Sequence, residues 1–85
     1  MTVIERELEE RGEVCIDDFS AREIAENETI VINLNNDYKE VFNTKTLRSV
    51  DFSKNGKSRS IDEKEYTSIE NFIEENAGRK ILAVA

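Results

Sequence analysis

Cys15-Ile16-Asp17-Asp18 sets a thiol two residues from a pair of adjacent carboxylates, a grouping with chemistry to offer. Two such carboxylates can hold Mg²⁺ through oxygen. A simpler role is to lead into a helix capped by Ser20, whose dipole stabilises negative charge at its start. A nucleophilic thiol needs a base or cation to lower its pKa, and the chain contains no histidine. Cys15 lies in an apolar context that suits a buried thiol. As the only cysteine it forms no intrachain disulfide, and one Cys with no His cannot build a Cys/His zinc site. Neither a Gly-rich phosphate loop nor a nucleophile elbow is present. The expectation is a non-enzyme with no catalytic residue, no metal and no cofactor.

Carboxylates in number are the stronger signal. The chain of 85 residues has a formal net charge of −7, and that charge is unevenly spread. Residues 1–28 carry ten acidic and three basic side chains, whereas residues 43–60 carry five basic and one acidic. Glu5, Glu9, Glu13, Asp17, Asp18, Glu23 and Glu26 are the candidate partner-binding set. Glu5, Glu9 and Glu13 are expected to project along one helix. Carboxylates arrayed on a rigid surface imitate a phosphate backbone, speed encounter with a basic partner and discourage wrong ones. Acidic helices also occur as ordinary solvated faces. The opposing cluster, Lys45, Arg48, Lys54, Lys57 and Arg59, is the candidate nucleic-acid contact. Lysines on a hairpin serve equally to block edge-to-edge pairing, and nucleic-acid binders are usually basic as whole domains.

Local chemistry indicates the elements that must position these groups. Thr2-Val-Ile-Glu5 and Ser20-Ala-Arg-Glu23 fit the capping box, and Asp62 with Glu65 repeats its logic. These predict helices at about 3–11, 20–27 and 63–76, with Gly12 and Gly78 just beyond the first and third. Tyr66, Ile69, Phe72, Ile73 and Ala77 recur at spacings of three and four, giving the third helix an apolar face. Residues 29–34 alternate as a strand, 13–16 form a short strand, and 81–84 are apolar as in a strand covered on both faces. Asn55-Gly56 is a hairpin turn signal that would place Val50 opposite Ile61. Residues 37–45 admit two readings. As a strand, Leu34 faces Tyr38 and Ile30 faces Phe42; as a helix, Asp37 caps and Glu40 completes the box. The strand is favoured.

"LEERGEVCIDDFSAREIAE" resembles the first helix, short strand and second helix of winged-helix DNA-binding domains. A strand-like "NETIVINL" then stands where the recognition helix would be, so no base-reading residue carries over. "TIVINLNNDYKEVFNTKTLRSVDF" is similar to the strand–helix–strand close of STAS domains, without their phosphorylatable serine motif. Neither likeness is sufficient to name a family.

Residues 1–85 are read as a single compact α+β domain. It has a small, mostly antiparallel sheet of about four to five short strands, with two to three helices packed on one face. No apolar run reaches the ~18 residues that span a bilayer, and the N-terminus lacks a signal-peptide core, so a cytoplasmic protein without membrane contact is expected. The expected function is that of a small acidic protein-binding module, an inhibitor or accessory protein. It would present carboxylates to a basic, nucleic-acid-handling partner. The alternative is weak nucleic-acid binding or regulation through the region 45–59. A homodimer, through a sheet edge or the third helix, is a further option.

Overall fold

The computed structural model describes residues 1–35, 38–53 and 63–85. Three helices, α1 (Val3–Arg11), α2 (Ala21–Ala25) and α3 (Ile69–Glu75), accompany six strands: β1 (Val14–Cys15), β2 (Thr29–Asn33), β3 (Tyr38–Asn43), β4 (Arg48–Ser53), β5 (Glu63–Glu65) and β6 (Lys80–Val84). The sheet runs β1-β6-β2-β3-β4-β5, and every neighbouring pair is antiparallel. The fold is α+β as expected, with six strands rather than four or five.

Both N-terminal capping boxes form. Thr2 Oγ1 accepts the Glu5 N–H and the Glu5 carboxylate accepts the Thr2 N–H, each at 3.2 Å. Ser20 and Glu23 repeat the exchange at 3.2 and 2.9 Å. Two donors that a helix start leaves orphaned are thereby satisfied at each end. Gly12 ends α1 at φ 86° with its N–H on the Leu8 carbonyl, a left-handed turn that glycine makes without a Cβ penalty.

The stretch 38–43 is a strand. Ile30 pairs with Phe42, and the Leu34 N–H is accepted by the Tyr38 carbonyl, as the meander reading required. The helical alternative is overturned because β3 satisfies its backbone against both β2 and β4.

The third helix is shorter than the periodicity implied. Glu63–Glu65 form β5, pairing with Val50, Ser49 and Arg48, and the Tyr66 N–H continues that line onto the Leu47 carbonyl at 2.8 Å. The cap is Ser68, whose Oγ accepts the Asn71 N–H at 3.0 Å. Val50 therefore pairs with Glu63 instead of Ile61. The Asn55-Gly56 turn, the Asp62 cap and Ile61 lie outside the described residues.

The helices cover one face of the sheet. Ile30 and Ile32 of β2, Phe42 of β3 and Ile81 of β6 meet Ile4, Ile24 and Phe72 from the three helices in one core. Phe42 stacks on Phe72 with ring centroids 3.8 Å apart, and Tyr66 meets both rings edge-on at 5.5 and 5.2 Å. Tyr66 reaches this cluster from the segment ahead of α3, so its helical spacing to Ile69 was coincidental. Residues on alternate positions face away from the helices. Ala83 is exposed and Cys15 only half-buried, so β6 is covered on one face only and the thiol is not sealed.

Candidate protein-binding surface

The N-terminal third, which supplies all seven candidate carboxylates, forms α1, β1, a 3₁₀ turn at Ile16–Asp18 and α2. Its helices pack in sequence: α1 against β1, β6 and α2, and α2 against α3. Apart from Glu13, which leads into β1, the acidic side chains therefore belong to one layer, the one that covers the sheet.

Within that layer they divide by role. Glu5 and Glu23 are half-buried and hold the capping boxes. Asp17 is exposed but accepts the Gly78 N–H through both oxygens, at 3.1 and 3.0 Å, tying the 3₁₀ turn to the loop before β6. Glu9, Asp18 and Glu26 project into solvent, as does Glu13. Glu13, however, does not extend the row of Glu5 and Glu9. The helix stops at Arg11 and the left-handed Gly12 turns the chain away toward β1. Glu5 and Glu9, one turn apart, border an open groove of about 310 Å³ whose other walls are Leu8, Gly12 and Leu82–Val84.

Neutralisation by the chain's own cations is slight among the described residues. Among the described residues one ion pair forms, Arg11 Nε to Glu7 at 3.5 Å within α1. Exposed Glu70, Glu74 and Glu75 on α3 extend the acidic layer beyond the N-terminal set. Their membership was not visible in sequence, because only the packing of α3 on α2 brings them alongside.

The basic candidates are only partly placed. Lys45 is exposed in the turn between β3 and β4, where Asn43 Oδ1 accepts the N–H groups of Lys45 and Thr46 at 2.8 and 3.0 Å. Arg48 is exposed at the start of β4, paired across the sheet with Glu65. Lys54, Lys57 and Arg59 lie outside the described residues.

A buried polar network was also missed in the sequence reading. Glu40 is fully buried, and Tyr66 Oη donates to its Oε2 at 2.6 Å. Asn76 Nδ2 donates to Tyr66 Oη at 3.2 Å and to the Phe72 carbonyl at 2.9 Å, and Arg79 Nη1 donates to Asn76 Oδ1 at 2.6 Å. Burial, and after it the Glu40 carboxylate, push the Tyr66 phenol up to about 12, while the hydrogen bond from Asn76 acts the other way. Such a relay is sealed under α3 and holds the sheet to the helix end; it offers no access to a substrate. The available signal was the alternation Tyr38, Glu40, Phe42, which puts Glu40 on the face of a core phenylalanine.

Among the described residues no three acidic or cysteine side chains converge as a metal site, Asp17 and Asp18 included. No helix among them is long and apolar enough to cross a membrane. No family model matches the chain, and comparisons with curated proteins and with solved structures yield no match.

Proposed function

We propose that this chain is a non-enzymatic protein-binding module whose acidic helical layer docks on a basic, nucleic-acid-handling protein, as an inhibitor or accessory factor. The observation that supports this reading is the scarcity of internal neutralisation among the described residues. Glu9, Glu13, Asp18 and Glu26 stand exposed, and Glu7–Arg11 is the one ion pair among the described residues. Carboxylates not spent on the chain's own cations retain their field for a partner. Glu9 stands on the capped α1 and Glu26 ends the capped α2, while Asp18 lies in the turn that Asp17 fixes. A preorganised array loses less side-chain freedom on binding than a flexible acidic tail.

The test is affinity capture from the native host with the chain and with a variant combining Glu9→Gln, Glu13→Gln, Asp18→Asn and Glu26→Gln. The chain should retain a basic protein in a salt-sensitive manner, the variant should lose it, and neither should retard nucleic acid directly. Undiminished capture by the variant would remove this reading. Direct retardation of nucleic acid that is weakened by Lys45→Ala and Arg48→Ala would favour binding through the basic region instead.

A further inference from the structure

The side of the sheet that the helices leave open carries an apolar row. Val31 pairs with Ala83 on one side and Val41 on the other, and Val41 pairs with Val50. These four residues lie in register across β6, β2, β3 and β4. Phe52, 45% exposed, adds an aromatic ring on the same face of β4. An antiparallel sheet with one solvated face ordinarily alternates apolar-in with polar-out. Here the outward positions at the middle of the sheet are aliphatic.

Charge is distributed differently here than on the helical side. Among the described residues the outward positions of the strands hold the cations Lys39, Arg48 and Lys80 and the carboxylates Glu63 and Glu65, all exposed. In a chain of net charge −7, the described residues of this face are close to neutral together, so a like molecule meets less repulsion on it than on the acidic side. Arg48 pairs directly with Glu65, so two of these charges offset each other within the sheet.

We propose that the open face is the interface of a two-fold homodimer. The midline of the six strands falls between β2 and β3, so Val31 and Val41 straddle it. A two-fold axis parallel to the strands then sets Val31 over Val41 of the second copy and Ala83 over its Val50. The apolar row thus meets itself, as an isologous interface requires. Two sheets packed this way lie ~10 Å apart with strands aligned within ~30°. Six strands at ~4.8 Å and five residues at ~3.3 Å give a footprint of roughly 400–500 Å² per copy. That is just under the ~600 Å² per partner at the lower end of specific interfaces, so the dimer should be a weak one, in the micromolar range. The helical layers face outward on both sides, leaving both acidic surfaces accessible.

Sedimentation equilibrium from about 1 μM to 1 mM, at low and high salt, tests this. The chain should dimerise, and salt should strengthen the association, because the dominant electrostatic effect between two such anions is repulsion. Val41→Lys should give a monomer throughout, with its circular dichroism and cooperative melt retained. Should that variant fail to fold, Val50→Thr, which keeps the branched shape and inserts a hydroxyl, is expected to weaken dimerisation at least tenfold. Intermolecular NOEs in a mixed labelled and unlabelled sample should connect the Val31 methyls with those of Val41. A chain monomeric at 1 mM, a dimer unchanged by both substitutions, or intermolecular NOEs confined to the helices would each overturn the proposal.

Discussion

Tyr66 donates its phenolic hydrogen to Glu40 across 2.6 Å, joining the segment ahead of α3 to the middle of the sheet. Glu40 is 0% exposed, and its other oxygen, Oε1, has no hydrogen-bond partner among the described residues. Its neighbour across the strand pair is Asp51, so two carboxyl-bearing residues lie directly opposite each other. A buried carboxylate with no cation beside it among the described residues loses hydration that one hydrogen bond only partly replaces. The Tyr66 hydroxyl is therefore the principal support of a costly group.

From this it follows that the two ends of the bond are not equivalent. Tyr66→Phe removes the donor and leaves Glu40 unsatisfied, at a cost of about 1–3 kcal/mol. The melting temperature should fall by roughly 5–15 °C. Glu40→Gln keeps an acceptor for the phenol while abolishing the charge, and should be neutral or stabilising by up to about 1–2 kcal/mol. The double variant should lose less than the sum of the two single effects, since Tyr66→Phe then leaves no buried charge exposed to the loss. Thermal and urea unfolding of the four proteins check this. A Glu40→Gln chain less stable than Tyr66→Phe would show that the charge itself is stabilising.

Alkaline pH acts on the same bond. The Tyr66 phenol is raised to about 12, chiefly by burial and by the adjacent Glu40, against ~10 in an unfolded chain. The folded state thus favours the neutral phenol. Its contribution is complete below pH ~10 and is lost as pH rises from there to ~12, up to about 3 kcal/mol. With Tyr38 replaced by phenylalanine, Tyr66 is the only tyrosine, and absorbance near 295 nm reports it alone. The expected result is a phenol that ionises only together with alkaline unfolding. A titration complete by pH 10 in a folded chain would contradict it.

What could be read from the sequence was chemistry that closes within a few residues. Thr2 with Glu5 and Ser20 with Glu23 needed only a hydroxyl three positions before a carboxylate, and both boxes are present. The pairing of Ile30 with Phe42 followed from a short loop and an alternating pattern. The same local logic misled at Asp62 and Glu65, where tertiary pairing of Glu63–Glu65 with β4 outweighed a capping signal and moved the helix start to Ser68. Glu40 was hidden because a charged residue in a strand is ordinarily read as outward, and only the position of Tyr66 explains its burial. The acidic surface was legible as a segment count. How it divides was legible only in part: Glu5 and Glu23 announce their caps, whereas the bond from Asp17 to Gly78 spans 61 residues.

The two caps should differ in their sensitivity. Ser20→Ala removes a hydroxyl that serves only the exposed start of α2, and should cost about 1 kcal/mol. The Thr2 hydroxyl also donates to Asn27 Oδ1 at 2.7 Å, and Asn27 is 3% exposed. Thr2→Ala therefore loses the cap and leaves a buried amide oxygen unmatched, so about 2–3 kcal/mol is expected. Thr2→Ser, which keeps both hydrogen bonds, should recover most of that loss. Urea midpoints with an unchanged slope would establish the ranking; equal losses for Thr2→Ala and Ser20→Ala would mean that the bond to Asn27 contributes nothing.

Gly78 separates conformational strain from steric fit. Its φ is 84°, and a Cβ built there meets nothing within 4 Å. Any penalty for Gly78→Ala is therefore that of holding an L-residue in the left-handed region, about 1 kcal/mol or slightly more. Its N–H is held between the two oxygens of Asp17, so the loop cannot relax without surrendering that contact. Asp17→Asn keeps one acceptor oxygen and removes the charge, and should cost less than Asp17→Ala. Combined with Gly78→Ala, Asp17→Ala should be less than additive, because a loop already released from Asp17 is free to relieve the strain. Unfolding free energies of the two single variants and the double variant test the coupling. Strict additivity would show that Asp17 does not hold the Gly78 turn in place.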